Sequence, residues 1–161
     1  MKMKIAFMGI LWVVFSLYAQ PGPDLKFTLN DLEGKPVSLS DYAGKVVVID
    51  FWAPWCQACK EAFPKLNELQ NEFGSLGVVV LGINIERMKP EKIASFVEKA
   101  KIGYKVLLDP KAETAKMFGI KGLPTLVIIA PDGTIQSIFR GIDKRTEKDI
   151  KNLLTTMTQK K

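Results

Sequence analysis

Residues 51–64 read FWAPWCQACKEAFP and hold both cysteines of the chain, Cys56 and Cys59, two residues apart. Trp52 and Trp55 stand beside them, and Pro54 and Pro64 lie on either side. Two thiols at this spacing have three uses: an electron-exchanging dithiol, half of a metal site, or a pair of inert core side chains. Zinc takes four ligands, usually Cys or His, and this chain offers two thiols and no histidine. The missing histidine also removes His-based triads and His general bases. Catalysis must then rest on Cys, Asp, Glu, Lys or backbone groups. No metal site is expected. The inert reading conflicts with location, because a helix mouth in an exported protein is a reactive place for a thiol. Redox exchange is the favoured use.

A helix beginning at Cys56 places the two thiols on neighbouring turns, close enough to bond to each other. Its unsatisfied N–H groups and its dipole favour a thiolate at Cys56, while Cys59, one turn in, stays a thiol until needed. A thiol of pKa about 8.5 is roughly 3% ionised at pH 7, and one of pKa about 7 is roughly half ionised. That gains about 16-fold in thiolate, of which lower nucleophilicity returns about 5-fold, leaving about 3-fold. The larger contribution must come from holding Cys59 against the mixed disulfide, as effective molarity.

These thiols need a scaffold. Lys45 to Phe51, KVVVIDF, is a continuous β-branched run with the length of a buried strand, interrupted only by Asp50. After Cys56, the residues Ala62, Phe63, Leu66, Leu69 and Phe73 recur at helical spacing up to Gly74. Val78–Ile85, Tyr104–Leu108, Leu126–Ile129 and Thr134–Arg140 read as further strands, the last two joined by the turn Pro131-Asp132-Gly133. Pro90 opens a helix carrying Ile93, Phe96 and Val97, and Asp109-Pro110 starts a short one ending near Gly119. Thr146 caps a closing helix with Ile150, Leu153, Leu154 and Met157 on its apolar face. Phe27–Leu29 and Val37–Leu39 form a small hairpin in front of the main fold. Strands alternating with helices before a final hairpin predict an α/β fold, a mixed sheet with helices on both faces.

The chain has 161 residues, enough for one domain with its own core. Its formal charge is +6, or +4 without Lys2 and Lys4. The basic residues are scattered with no interleaved aromatics, so nucleic acid is not expected as a partner. Residues 1–19 begin with two lysines and continue into an apolar run shorter than the roughly 20 residues of a membrane-spanning helix. They read as a signal peptide, or less favourably an uncleaved N-terminal anchor. Residues 20–24, with Pro21-Gly22-Pro23, are a linker to a domain over 25–161. An extracytoplasmic, best a periplasmic, location follows, where disulfides form and persist.

VVVIDFWAPWCQACKEAFP resembles the active-site segment of the thioredoxin superfamily, with Asp50 six residues before Cys56 and Pro64 eight after it. GIKGLPTLVI, residues 119–128, resembles the loop that carries the cis-proline of that superfamily. The leading hairpin, the extra helix and strand over Met88–Leu108 and the export signal resemble the TlpA/ResA/DsbE-like extracytoplasmic thiol-disulfide oxidoreductases. The resemblance covers residues 24 to about 158. It implies a thioredoxin-like three-layer sandwich with an N-terminal β-hairpin and a helix-strand insertion.

It also implies roles. Cys56 attacks a substrate disulfide, Cys59 resolves the mixed disulfide, and the two close a Cys56–Cys59 disulfide. Trp52 and Trp55 flank the sulfurs as an apolar docking surface, although Trp52 also reads as a plain core aromatic. Leu123 offers its backbone to an extended substrate strand, and Pro124, cis despite the usual trans preference, sets a ring against the sulfurs. Asp50, a carboxylate in an apolar strand, has its pKa raised by burial and takes the proton of Cys59; Glu86 is the second candidate for that task. Thioredoxins carry a lysine beside the buried acid, and Gly82 stands at that place here. Gln57-Ala58 departs from the proline-containing pairs usual in the family.

No cofactor is implied. The implied partners are disulfide-containing protein substrates, including those of cytochrome c maturation, and a membrane thiol-disulfide electron donor, with the chain acting as a monomer. Two other functions compete. A peroxiredoxin-like peroxidase needs Thr or Ser three residues before its cysteine, where this chain has Ala53. A copper-carrying thioredoxin-fold chaperone needs a distant histidine, which the chain lacks.

Overall fold

The computed structural model describes residues 25–159. The leader read over 1–19 and the linker 20–24 lie outside the described residues. Among these residues seven strands form one sheet: β1 Thr28–Asp31, β2 Pro36–Ser38, β3 Val46–Trp52, β4 Val78–Asn84, β5 Lys105–Leu108, β6 Thr125–Ile129 and β7 Ile135–Arg140. Their order across the sheet is β2-β1-β5-β4-β3-β6-β7. The central three, β3, β4 and β5, run parallel, and β6, β7, β1 and β2 are joined antiparallel. Among the described residues four α-helices complete the fold: α1 Gln57–Phe73, α2 Pro90–Lys99, α3 Glu113–Met117 and α4 Lys144–Gln159.

The sheet divides the interior into two cores. Val46, Val48 and Trp52 of β3 pack with Phe63 and Leu66 of α1, Ile93 of α2, and Ile150 and Leu154 of α4. Val47, Ile49 and Phe51 pack on the opposite face with Leu81, Ile83, Val127 and, from α3 and its exit, Ala115 and Phe118. All seven residues of β3 are buried. A strand with neighbours on both edges and layers on both faces has to be apolar throughout, which is why its sequence is continuous rather than alternating. This is the three-layer, thioredoxin-like arrangement, with helices on both faces of a mixed sheet.

Three local details differ from the sequence reading. The leading hairpin is part of the sheet: β1 pairs with β5 through Asn30↔Leu108 and Asp31↔Leu107. Its partner strand belongs to the inserted segment, so the two additions complete one another. The short helix expected from Asp109-Pro110 starts four residues later, at Glu113. Buried Asp109 stays outside it and accepts hydrogen bonds from the N–H groups of Glu113 and Ala115 at 3.0 and 3.1 Å. The closing helix is capped by Asp143 rather than Thr146, because the Asp143 carboxylate accepts the Thr146 N–H at 2.7 Å.

Candidate functional site

Helix α1 starts immediately after Cys56, which occupies its N-cap in an extended conformation. The Cys56 sulfur accepts the Cys59 N–H at 3.1 Å. That is the bond a capping oxygen would make, so the sulfur already sits where an anion is favoured. Cys56 and Cys59 are joined in a disulfide, S–S 2.01 Å with Cα atoms 5.3 Å apart. Cys56 keeps 6% of its surface and Cys59 none. Of the pair only Cys56 keeps any exposed surface, and Cys59 is wholly enclosed in the core on the α1 side of β3.

The two tryptophans separate. Trp52 closes β3 with its side chain wholly buried, stacked on Phe96 at 5.5 Å and edge-on to Phe63 at 5.3 Å. As a docking surface Trp52 does not serve; it is core, since the strand's alternation turns it toward α1. Trp55, beyond the turn at Pro54, is 67% exposed. Its indole N–H donates to Glu86 Oε2 at 2.6 Å, and the Arg87 N–H donates to Glu86 Oε1 at 3.0 Å. Both oxygens of Glu86 are thus engaged on the rim. Trp55 lines a groove of about 340 Å³ together with Ile85, Ala115, Lys116, Ile120 and Leu123.

The Leu123–Pro124 peptide is cis. The loop is tied at both ends: Thr125 Oγ1 donates to the Gly122 carbonyl at 2.7 Å, and the Gly141 N–H donates to the Pro124 carbonyl at 3.0 Å. Pro124 is buried and Leu123 half-buried.

Asp50 lies on the α1 side of β3, between Val48 and Trp52, with no exposed surface. Burial pushes its carboxyl up to about 7, against the pull of a hydrogen bond from the Tyr104 hydroxyl. That bond spans 3.1 Å to Asp50 Oδ2. Burial, and then the neighbouring carboxylate, hold the Tyr104 phenol well above its ordinary value, so it stays protonated and donates. Asp50 pairs with Gly82, and Trp52 with Asn84, across the parallel β3/β4 ladder. Among the described residues three buried side-chain atoms have no hydrogen-bond partner: Asp50 Oδ1, Trp52 Nε1 and Asn84 Nδ2. All three belong to the α1 side of these adjacent strands, at the end nearest the disulfide. Glu86 is not part of this group.

The sequence reading overlooked Tyr104 and Asn84. A signal for Tyr104 was present. Gly82 faces the acid with no side chain of its own, and such a gap in a buried sheet is filled from a neighbouring strand. A Cβ on Gly82 would come within 2.9 Å of both Trp52 Nε1 and Tyr104 Cε2.

Residues 19–138 match the AhpC/TSA family. The chain is 32% identical over 131 residues to the thiol-disulfide oxidoreductase ResA of Geobacillus thermodenitrificans, covering 81% of this chain and 74% of that protein. It is 31% identical over 133 residues to the thioredoxin-like protein YneN of Bacillus subtilis, covering 82% and 76%. Its fold superposes with a TM-score of 0.77 on a candidate thiol:disulfide interchange protein DsbE of Chlorobium tepidum, 29% identical, covering 83% of this chain and 93% of the other. It also resembles the exposed lipoprotein thioredoxin Etrx1 of Streptococcus pneumoniae, at TM-score 0.71 and 27% identity over 81% of this chain and 98% of the other.

Proposed function

The chain belongs to the AhpC/TSA family, as a thioredoxin-fold thiol-disulfide oxidoreductase of ResA/DsbE type, and from that premise we propose that it reduces disulfides of partner proteins outside the cytosol. The observation that carries this reading is the Cys56–Cys59 disulfide at the mouth of α1, with Cys56 at the N-cap keeping a little exposed surface and Cys59 wholly buried.

The cycle begins with the dithiol form. The Cys56 thiolate, favoured by the helix N-terminus, attacks one sulfur of the substrate disulfide. That S–S bond breaks, its other sulfur leaves as a thiolate and takes a proton from water, and a mixed disulfide to Cys56 remains. Asp50 accepts the proton of Cys59. The Cys59 thiolate then attacks the Cys56 sulfur, the mixed disulfide breaks, and the second substrate thiolate leaves. Two electrons have moved from protein to substrate, and the protein holds the intramolecular disulfide seen here. A membrane thiol-disulfide donor returns the two electrons.

A carboxylate with its pKa near 7 suits this exchange, because it accepts a proton and releases it again at neutral pH. Glu86 holds Trp55 in place instead, and Trp55 with the Leu123-Pro124 loop forms the docking surface. The Leu123 backbone pairs with an extended substrate segment, and the groove beside Trp55 takes its side chains. Residues 1–19 direct export. The similar Etrx1 of Streptococcus pneumoniae is an exposed lipoprotein, which supports this placement. Oxidised proteins of cytochrome c maturation are proposed as substrates.

Mixing the reduced protein with a disulfide-bearing peptide tests the scheme. Wild type should release the peptide as thiols, and Cys59→Ser should stop as a mixed disulfide at Cys56, visible by mass spectrometry under non-reducing conditions. Turnover by Cys59→Ser at the wild-type rate would overturn it.

A further inference from the structure

Asp50 is held by an asymmetric arrangement. Its Oδ2 receives the Tyr104 hydroxyl at 3.1 Å, while its Oδ1 is buried with no partner. Tyr104 precedes β5, which lies on the far side of β4 from β3. Its ring reaches the acid across β4 because Gly82, directly opposite Asp50, has no side chain. A Cβ there would collide with the Tyr104 ring at 2.9 Å, so the glycine and the tyrosine fit as a pair. Around the acid, β4 brings Gly82 opposite Asp50 and Asn84 opposite Trp52, β6 brings Leu126 opposite Asp50, and Leu126 and Cys59 of α1 share the buried cluster of Tyr104. Cys59 and Tyr104 are the titratable groups among them, and none carries a fixed charge. The carboxylate is therefore supported by a neutral donor rather than a cation.

We infer that Tyr104 is a positioning residue for proton transfer: reaching over Gly82, its phenol pins Asp50 through Oδ2 and leaves Oδ1 as the oxygen that takes the proton of Cys59. This rests on Asp50 being the proton acceptor of Cys59. A hydroxyl that donates to one oxygen favours the ionised carboxylate without neutralising it, so the acid can both receive and return a proton. The direction of the effect agrees, since the Tyr104 bond pulls the Asp50 pKa down against burial. The phenol keeps its own proton throughout. The transfer runs from Cys59 Sγ to Asp50 Oδ1, and no electron passes through Tyr104.

The test is a single-turnover reaction of the full reduced protein with glutathione disulfide in enough excess that closure of the Cys56–Cys59 bond, not the first attack by Cys56, sets the rate, followed as a function of pH. Wild type should show an inflection near 7, the value set at Asp50. Tyr104→Phe keeps the ring that packs on Gly82 and should move the inflection up by about one pH unit, slowing closure about tenfold below it. The plateau at high pH should stay unchanged. Replacing Tyr104 with 3-fluorotyrosine, whose more acidic phenol donates more strongly, should move the inflection the other way without altering packing. Asp50→Asn should remove the inflection. An inflection unmoved by both Tyr104 replacements, but erased by Asp50→Asn, would overturn the role of Tyr104 and leave Asp50 standing. A wild-type profile in Asp50→Asn would remove Asp50 as the acceptor and this inference with it.

Discussion

On one face of β3, Val47, Ile49 and Phe51 meet an unbroken apolar core; on the other, Val46 and Val48 give way to Asp50 and Trp52 as the strand approaches the disulfide. Both faces are fully buried, so burial alone does not distinguish them. The difference is that three polar atoms without partners collect on one side, at the carboxyl end of the parallel strands. A buried polar atom left unmatched is costly, by about 1–3 kcal/mol in neutral cases. Apolar side chains of similar size would pack there at no such cost. A protein keeps such an arrangement where the atoms take part in chemistry, and loses stability for it.

Two substitutions test that contrast. Phe51, with no exposed surface and its ring 5.6 Å from that of Phe118, serves packing alone. Phe51→Ala should lower unfolding stability by about 3–5 kcal/mol in urea titration. Below its unfolding transition, the rate of disulfide exchange should stay within about twofold of wild type. A large loss of exchange rate in a folded Phe51→Ala protein would erase the distinction between the faces.

Asp50→Asn should do the reverse, slowing resolution while stabilising the fold. The sign follows from linkage. The folded pKa is about 7 and the ordinary value is 3.8, so between these the folded protein holds a proton that the unfolded chain has lost. Stability contributed by the protonated acid is complete below pH 3.8 and falls as pH rises to about 7, then stays low. At about 1.4 kcal/mol per unit, the total is on the order of 4 kcal/mol at most. Asn does not titrate. The stability of Asp50→Asn relative to wild type should therefore increase between pH 4 and pH 8 by up to that amount, measured by urea unfolding at each pH. A difference that does not change with pH would mean that Asp50 is not a desolvated acid.

How much of this was legible depends on the range of each signal. The β3 run, the Cys56–Cys59 spacing, the helical pattern after it and the GLPT loop are all local, and each was found where the sequence placed it. The same alternation that buries Trp52 should have warned against it as a docking residue, since it ends the apolar strand rather than following the turn. Gly82 was placed opposite Asp50 from sequence, but only as a missing lysine. What fills the gap comes from Tyr104, 54 residues away from Asp50 and two strands across. No local pattern reports such a contact. The starts of α3 and α4 were misplaced for a related reason, while those of α1 and α2 were not: Asp109 and Asp143 cap from outside their helices through side-chain geometry that composition alone does not reveal.

The most direct test of the account compares the two thiols in the reduced protein. Alkylation by iodoacetamide across a pH series, read residue by residue with mass spectrometry, should label Cys56 alone. Its rate should turn upward below the free-thiol value of about 8.5, with Cys59 protected until the protein unfolds. Equal labelling of both thiols, each with the profile of a free cysteine, would contradict it.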